Sequence, residues 1–193
     1  MTRLYIESET FEKVNFGEHP PGKGEYENCI FSNCDFSEAD ITNIIFTGCD
    51  FTGCNLSLAK TDKTAFREAR FKDCKMLGLR FDYCNEFGLS FSFENCILDH
   101  SSFYRKKIKK TIFKNCRLRE ADFTECDLTG SVFNNCDLAM AMFESTMLEK
   151  ADLRSSVNYN IDPASNKIKK ARFSLSGLPG LLYKYDIDID NLG

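Results

Sequence analysis

The sequence contains no tryptophan, two histidines and four prolines in 193 residues. No stretch approaches the ~18 continuous apolar residues of a membrane-spanning helix, so no segment reads as transmembrane. The opening residues, MTRLYIESETFEKVNF, lack a basic region followed by an apolar run, so no secretory signal peptide is expected. No glycine-rich phosphate loop occurs. His19 lies in a proline- and glycine-rich stretch and His100 lies far along the chain. Neither pairs with a cysteine in a pattern that suggests nucleophilic chemistry, so no catalytic residue and no cofactor are expected. What the chain does have is 18 phenylalanines and 10 cysteines, on a background of 42% apolar and 28% charged residues that is ordinary for a globular protein. Its length allows one domain or two small ones.

The organising stretch is RLREADFTECDLTGSVFNNCDLAMAMFESTMLEKADL, residues 117–153. A large apolar residue stands at every fifth position: Leu118, Phe123, Leu128, Phe133, Leu138, Phe143, Leu148 and Leu153. Two places before each stands a small residue, as at Cys116, Ala121, Cys126 and Ser131, and an acid often lies between, as at Asp122, Asp127, Asp137 and Asp152. A helix face repeats every 3.6 residues and a strand face every 2, so a strict five fits neither. It requires a backbone that turns a corner at each repeat, with the large residue pointing at a common axis. Such internal periodicity outranks any local secondary-structure reading.

The pattern resembles the pentapeptide repeat family, whose motif is roughly Ala-Asp/Asn-Leu-x-x. Ala39-Asp40-Ile41, Cys54-Asn55-Leu56, Ala121-Asp122-Phe123, Cys126-Asp127-Leu128 and Ala151-Asp152-Leu153 match it directly. The resemblance implies an all-β fold, a right-handed quadrilateral β-helix with four pentapeptides per coil, so that residues twenty apart share a column. It also implies a bacterial, cytoplasmic protein. On that reading the large residue fills the axis, the small residue fits beside it, and the other three positions face solvent.

Ten cysteines invite a disulfide or zinc reading. The register argues against both, because every cysteine falls two places before a central position, where Ala, Ser and Thr otherwise stand. Free cysteine is among the most buried residue types. The numbering puts Cys34, Cys54 and Cys74 in one column and Cys96, Cys116 and Cys136 in another. No metal site is expected.

Residues 1–25 read as an N-terminal capping coil and loop, with Phe11 and Phe16 in register and GEHPPGKGE as the loop. Residues 26–158 read as the β-helix, with Phe31, Phe51, Phe71 and Phe91 as one aromatic column. A register break is expected near residues 84–98. Glu86 falls on a central position and would bury a carboxylate, and the central positions afterwards move by two, to Leu98 and Phe103. An insertion or bulge is therefore expected in CNEFGLSFSFEN, with Phe87 and Phe93 outside the regular runs. Lys106 falls on a small inward position, so distortion or a short loop is expected in YRKKIKK. Residues 159–193 read as a distorted last coil and a short C-terminal α-helical tail. Leu178, Leu181, Leu182, Tyr185 and Ile187 there supply more apolar surface than a cap needs, which fits a homodimer interface.

Charge is uneven along the chain. Residues 1–60 carry 4 basic and 10 acidic residues, residues 61–120 carry 14 and 8, and residues 121–193 carry 7 and 11. The rod thus has acidic ends and a basic waist. The resemblance extends to the Qnr-type quinolone-resistance, mycobacterial fluoroquinolone-resistance and microcin-immunity members, which bind type II topoisomerases in part by imitating duplex DNA. It implies DNA gyrase or topoisomerase IV as partner, with Asp35, Glu38, Asp40 and Asp50 at one end and Asp122, Glu125, Asp127 and Asp137 at the other standing in for phosphates. The alternative is a scaffolding solenoid with no topoisomerase role. A third reading, direct nucleic-acid binding through Arg105, Lys106, Lys107, Lys109 and Lys110, is disfavoured because a net-negative rod repels nucleic acid elsewhere.

Overall fold

The computed structural model describes residues 4–190. Residues 1–3 and 191–193, assigned above to the N-terminal coil and the tail, lie outside the described residues. A repeat of five closes a square only if the backbone reverses its curvature at each corner. The second residue after a central side chain supplies that reversal. It takes the left-handed conformation again and again, at Asn28 (φ 52°), Gly48 (φ 64°), Asn95 (φ 54°), Glu120 (φ 56°) and Gly130 (φ 72°) among others. L-residues other than glycine resist this region, and asparagine resists it least. The recurrence of Gly and Asn at this place is a corner signal that reading the apolar period alone misses.

Between corners the chain is extended, in short strands: β1 (Leu4–Glu7), β2 (Thr10–Glu12), β3 (Gly24–Glu27), β4 (Ile30–Ser32), β5 (Ile45–Thr47), β6 (Asp50–Thr52), β7 (Ala65–Arg67), β8 (Ala69–Lys72), β9 (Phe91–Glu94), β10 (Ile112–Lys114) and β11 (Val132–Asn134). They stack in parallel as two sheets, β1-β3-β5-β7 and β2-β4-β6-β8-β9-β10-β11. Isolated parallel bridges such as Asp35↔Asn55 and Arg117↔Asp137 on one side and Asp40↔Lys60 and Ser102↔Asp122 on the other complete the remaining walls. The result is a right-handed quadrilateral β-helix whose four walls are named here by their central residues. Wall one holds Tyr26, Phe46, Phe66, Ile108, Leu128 and Leu148. Wall two begins at Phe11 and Phe31, wall three at Phe16 and Phe36, and wall four at Ile41 and Thr61. The N-terminal segment is in phase with the rest, since Leu4 pairs with Gly24 and Phe11 with Phe31.

Stacked rings fill the axis. Down wall two the ring centroids of Phe31 and Phe51 lie 4.8 Å apart, those of Phe51 and Phe71 4.8 Å, and those of Phe113 and Phe133 4.8 Å, all stacked with their planes nearly parallel. This is the spacing of hydrogen-bonded strands. Rings of adjacent walls meet edge to face instead, as do Phe103 and Phe113 at 5.9 Å and 88°. Both arrangements suit the aromatic quadrupole.

The expected register break is present, and it reassigns two columns. Wall two runs Phe71 to Phe93 to Phe113, with Phe71 paired to Phe93, so Phe93 and not Phe91 continues the aromatic column. Phe93 therefore does not lie outside the regular run. Phe91 pairs with Ala69, in a small-residue position, and is buried against Phe81, Phe93 and Phe103. The cause is two extra residues in the stretch Glu86–Leu89. There Leu89 N donates to Glu86 O (3.3 Å) and Phe87 N donates to Asn85 Oδ1 (2.9 Å), closing a tight turn with Gly88 at φ 71°. Glu86 is thrown outward, and Phe87 at the tip is 77% exposed. No large central side chain stands on wall one at this rung, and the Phe91 ring and Leu89 pack into the core beside the gap.

The same shift of two merges the two cysteine columns into one. Cys34, Cys54, Cys74, Cys96, Cys116 and Cys136 form a single file along wall three. All ten cysteines are free and buried. Each of this file accepts the role of a small inward residue, with thiols donating to main-chain carbonyls, as Cys54 Sγ does to Phe31 O (3.3 Å) and Cys136 Sγ to Phe113 O (3.4 Å).

After Leu153 the coil continues in phase, with Met147 bridged to Lys167 and Asp152 to Arg172. The tail then forms α1 (Pro179–Leu182) between single turns of tighter helix. It docks where Ile161 N donates to Gly180 O (2.9 Å), at a place where any Cβ on residue 180 would collide with the Tyr159 carbonyl.

Removing a ring from the file separates the two phenylalanines sharply. Phe93→Ala should cost about 3–5 kcal/mol, and Phe87→Ala should stay within about 0.5 kcal/mol. Urea denaturation of the two variants measures this, and equal losses would contradict the assigned register.

Candidate functional site

With the axis filled, the outward residues are what the molecule offers. Much of the acidic character first serves the corners. Asp35 Oδ1 accepts from Ser37 N (2.9 Å), Asp40 Oδ1 from Thr42 N (3.0 Å), Asp122 Oδ1 from Thr124 N (2.9 Å), Asp127 Oδ1 from Thr129 N (3.1 Å) and Asp137 Oδ1 from Ala139 N (3.2 Å). Asn55 and Asn85 do the same without a charge. An acid or amide just before the central residue thus folds back on its own turn, as its type favours.

Most of the nominated phosphate mimics then meet a cation. Asp40 meets Lys23 (2.7 Å), Glu125 meets Arg105 (2.8 Å), Asp127 meets Lys109 (3.2 Å) and Asp137 meets Arg119 (2.6 Å), while Asp50 is bound by Arg70. Asp35, Glu38 and Asp122 have no ion pair among the described residues. Some column neighbours twenty apart do pair, as Asp50 with Arg70 and Glu125 with Arg105, and others do not. Arg117 reaches Asp99 (2.6 Å) and leaves Asp137 to Arg119, and Lys109, not Lys107, reaches Asp127. In these three pairs the long side chain slants to the adjacent position rather than standing straight above its column neighbour. Pairs of this exposed kind contribute about 0–1 kcal/mol each.

The carboxyl groups respond accordingly. Lys23, with the Thr42 hydroxyl and amide, holds Asp40 far below the usual carboxylate range. The Arg105 guanidinium lowers Glu125. At Asp127 burial pushes the carboxyl up, but hydrogen bonds from Thr129 together with Lys109 prevail and its pKa is lowered. At Asp137 burial again acts upward and is overcome by Asn158 and Arg119.

The basic segment is not one surface. Arg105 belongs to the corner of wall four, with Glu125. Lys107, Lys109 and Lys110 stand exposed on wall one. Lys106 points inward and its side chain is 6% exposed. Its Nζ donates to Cys84 O (3.0 Å) and to Glu86 Oε1 (3.2 Å). The expected distortion or loop at this segment does not occur: Phe103 and Ile108 stay in register over Phe123 and Leu128, as the bridges Ser102↔Asp122 and Lys107↔Asp127 require. A lysine is tolerated in a small-residue position because the excursion one rung above turns a carbonyl and a carboxylate toward it.

The tail residues divide as well. Leu181 is half-buried and packs on the core. Leu178, Leu182, Tyr185 and Ile187 are exposed. Leu178 and Leu182, with Leu175, Pro179 and Ile189, edge an apolar cleft of about 710 Å³. Lys184 ties the tail down through Asp162 (2.6 Å). His100 meets Glu120 on the surface (3.3 Å). Among the described residues no cluster of three His, Cys, Asp or Glu is placed to hold a metal ion, and no helix is long and apolar enough to cross a membrane.

A filled coil of five-residue repeats with a short helical cap defines a β-solenoid class. The profile described as "Pentapeptide repeat region" matches residues 89–173, and that described as "Pentapeptide repeats (8 copies)" matches residues 29–73 and 49–85. The chain belongs to the pentapeptide repeat family. The two profiles part at residues 86–88, within the excursion that carries Phe87. No curated protein matches the sequence. Among solved structures, the chain is similar to a trypsin-treated variant of QnrB1, a plasmid-mediated fluoroquinolone resistance protein, with 18% identity and a TM-score of 0.61 over 98% of this chain and 100% of that one. Full-length QnrB1 gives 17% identity and a TM-score of 0.57 over 95% and 100%. HetL, from the cyanobacterium Nostoc sp., gives 16% identity and a TM-score of 0.44 over 88% and 87%. These likenesses are likenesses of fold.

If Lys106 fastens the excursion, Lys106→Met, which keeps length and removes the donor, should speed amide exchange at Phe87 and Leu89 about tenfold, the value of one buried hydrogen bond. Exchange in β10 should not change. Unaltered protection at Phe87 would show that the turn holds itself.

Proposed function

We propose that this protein is a non-enzymatic binding rod whose partner is a type II topoisomerase, DNA gyrase or topoisomerase IV, and that it acts as a homodimer joined through its tail. The observation that carries the reading is the axis filled along its length by stacked side chains, which confines recognition to the outer walls and ends. The overall form shared with a fluoroquinolone resistance protein supports the choice of partner. Because five of the eight nominated acids are neutralised within the rod, the charge left to imitate phosphate is that of Asp35, Glu38 and Asp122. The exposed leucines and tyrosines of the tail supply the apolar surface for a second copy.

A supercoiling assay with purified gyrase, with and without a quinolone, tests the partner. The protein should inhibit the enzyme or protect it from the drug, and the pair of substitutions Glu38→Lys and Asp122→Asn should weaken the effect about tenfold, the factor that about 1.4 kcal/mol makes. Asn at 122 keeps the turn, so the fold should survive. Absence of any effect at micromolar protein would remove the topoisomerase reading. The dimer is checked by light scattering: the parent should run at twice the chain mass and Leu182→Glu at the chain mass. A monomeric parent would refute it.

A further inference from the structure

Seven of the eight exposed lysines in the second half of the coil are gathered on one wall; the eighth, Lys114, stands on wall two paired with Glu94 (2.8 Å). Lys107, Lys109 and Lys110 lie on one rung of wall one. Lys150 lies two rungs further on, and Lys167, Lys169 and Lys170 one rung beyond that. The column is continuous, since Lys107 bridges to Asp127, Asp127 to Met147 and Met147 to Lys167, while Lys150 N donates to Lys169 O (3.0 Å). All seven side chains are exposed. The wall has two acids over these rungs. Asp127 is buried and already held by Thr129 and Lys109. Glu149 is half-buried. Around the corner Asp152 is covered by Arg154 (2.7 Å) and Arg172 (3.7 Å). The acids Asp122, Glu125 and Glu144 belong to wall four, and Glu120 and Asp137 to wall three.

We infer that wall one, from Lys107 to Lys170, binds the phosphate backbone of nucleic acid without reading its sequence. Three features select this occupant over an acidic protein. The charges are lysines, compact point charges that serve phosphates and are depleted at protein interfaces. Over these rungs the wall presents no aromatic or arginine anchor of the kind that dominates protein binding; between the lysines stand Thr129, Gly130 and the half-buried Met147. It also presents no outward Arg, Asn or Gln side chain of the kind that recognises base edges, which favours contact with the backbone. Three rungs span about 14 Å at strand spacing, the axial length of about four phosphates on each strand of a duplex. The net negative charge of the chain does not oppose this. Apart from Asp127 and Glu149 the nearby acids sit on other walls, and beyond about 8 Å at physiological ionic strength their field is screened. The inference does not rest on the topoisomerase reading.

The test is fluorescence anisotropy of the full chain with a labelled duplex of arbitrary sequence. With about five phosphates contacted, affinity should fall roughly 500-fold between about 50 and 200 mM salt. Lys107→Glu, Lys150→Glu and Lys169→Glu together should weaken binding at least tenfold more than Lys13→Glu, Lys60→Glu and Lys75→Glu together, a control with the same charge change on the other walls. A second duplex of unrelated sequence should bind equally. No binding at low salt, equal losses in both triple variants, or a labelled poly-glutamate that binds where the duplex does not would each overturn the inference, the last in favour of an acidic protein. Circular dichroism melts of both triples establish that the coil is intact.

Discussion

Each rung of this protein can stack on the next only because the same place in every repeat holds a side chain of similar girth. Stacked rings at strand spacing are the tightest case. A phenylalanine over a phenylalanine fills the axis at the distance that the backbone hydrogen bonds already impose, so ring packing and strand pairing reinforce one another. The left-handed corner is the matching constraint on the backbone. Where both are met the chain advances by twenty residues per coil. Where one fails, the coil must find two residues of slack.

That failure happens once, and it is instructive. Glu86 cannot take a central place, and the chain responds by pushing Glu86 and Phe87 out and bringing Phe91 in. The change in central positions after residue 84 is plain in the sequence. Which phenylalanine resumes the column is not, because Phe91 and Phe93 are both apolar and both near the right place. Only the pairing of β8 with β9 settles it, and with it the single file of six cysteines. Lys106 was illegible for a related reason. Its partners belong to an excursion twenty residues away whose shape is not written in the repeat. The corners are legible in principle, since Gly and Asn recur two places after the central residue, although Lys, Glu and Ser stand there as well and blur the signal. The ion pairs of the acids are not legible in the repeat, because a cation reaches an acid twenty residues away in some places, as Arg70 reaches Asp50, and eighteen away in others, as Arg117 reaches Asp99.

Charge shows how a solenoid hides its surface in one dimension. Summed along the chain, the second half runs from a basic waist to an acidic end, with 7 basic and 11 acidic residues over 121–193. Folded, most of its exposed lysines share one wall and many of its acids others, because residues sixty apart in sequence are three rungs apart in space. Counts over sequence segments therefore describe the ends and waist of such a rod and say nothing about its sides. The sides are what a partner meets.

The acids do two jobs that compete. A carboxylate that accepts from its own turn and then pairs with an arginine has its charge largely offset at the surface, so it shapes the corner more than it projects a field. Asp127 is the extreme: buried, bonded to Thr129 and held by Lys109, it leaves wall one basic even though it stands in the middle of it. Asp122, with the same turn bond and no cation, keeps its charge available. The turn is served there by an acid or by a neutral amide such as Asn55, and in other repeats an apolar residue such as Ile97 or Met147 stands at that place, so the repeat is indifferent to whether the charge is cancelled. The cancelling residue lies at an outward position that the core does not constrain. The sign of each wall can thus change by substitutions at outward positions alone, without touching the stack that holds the rod together.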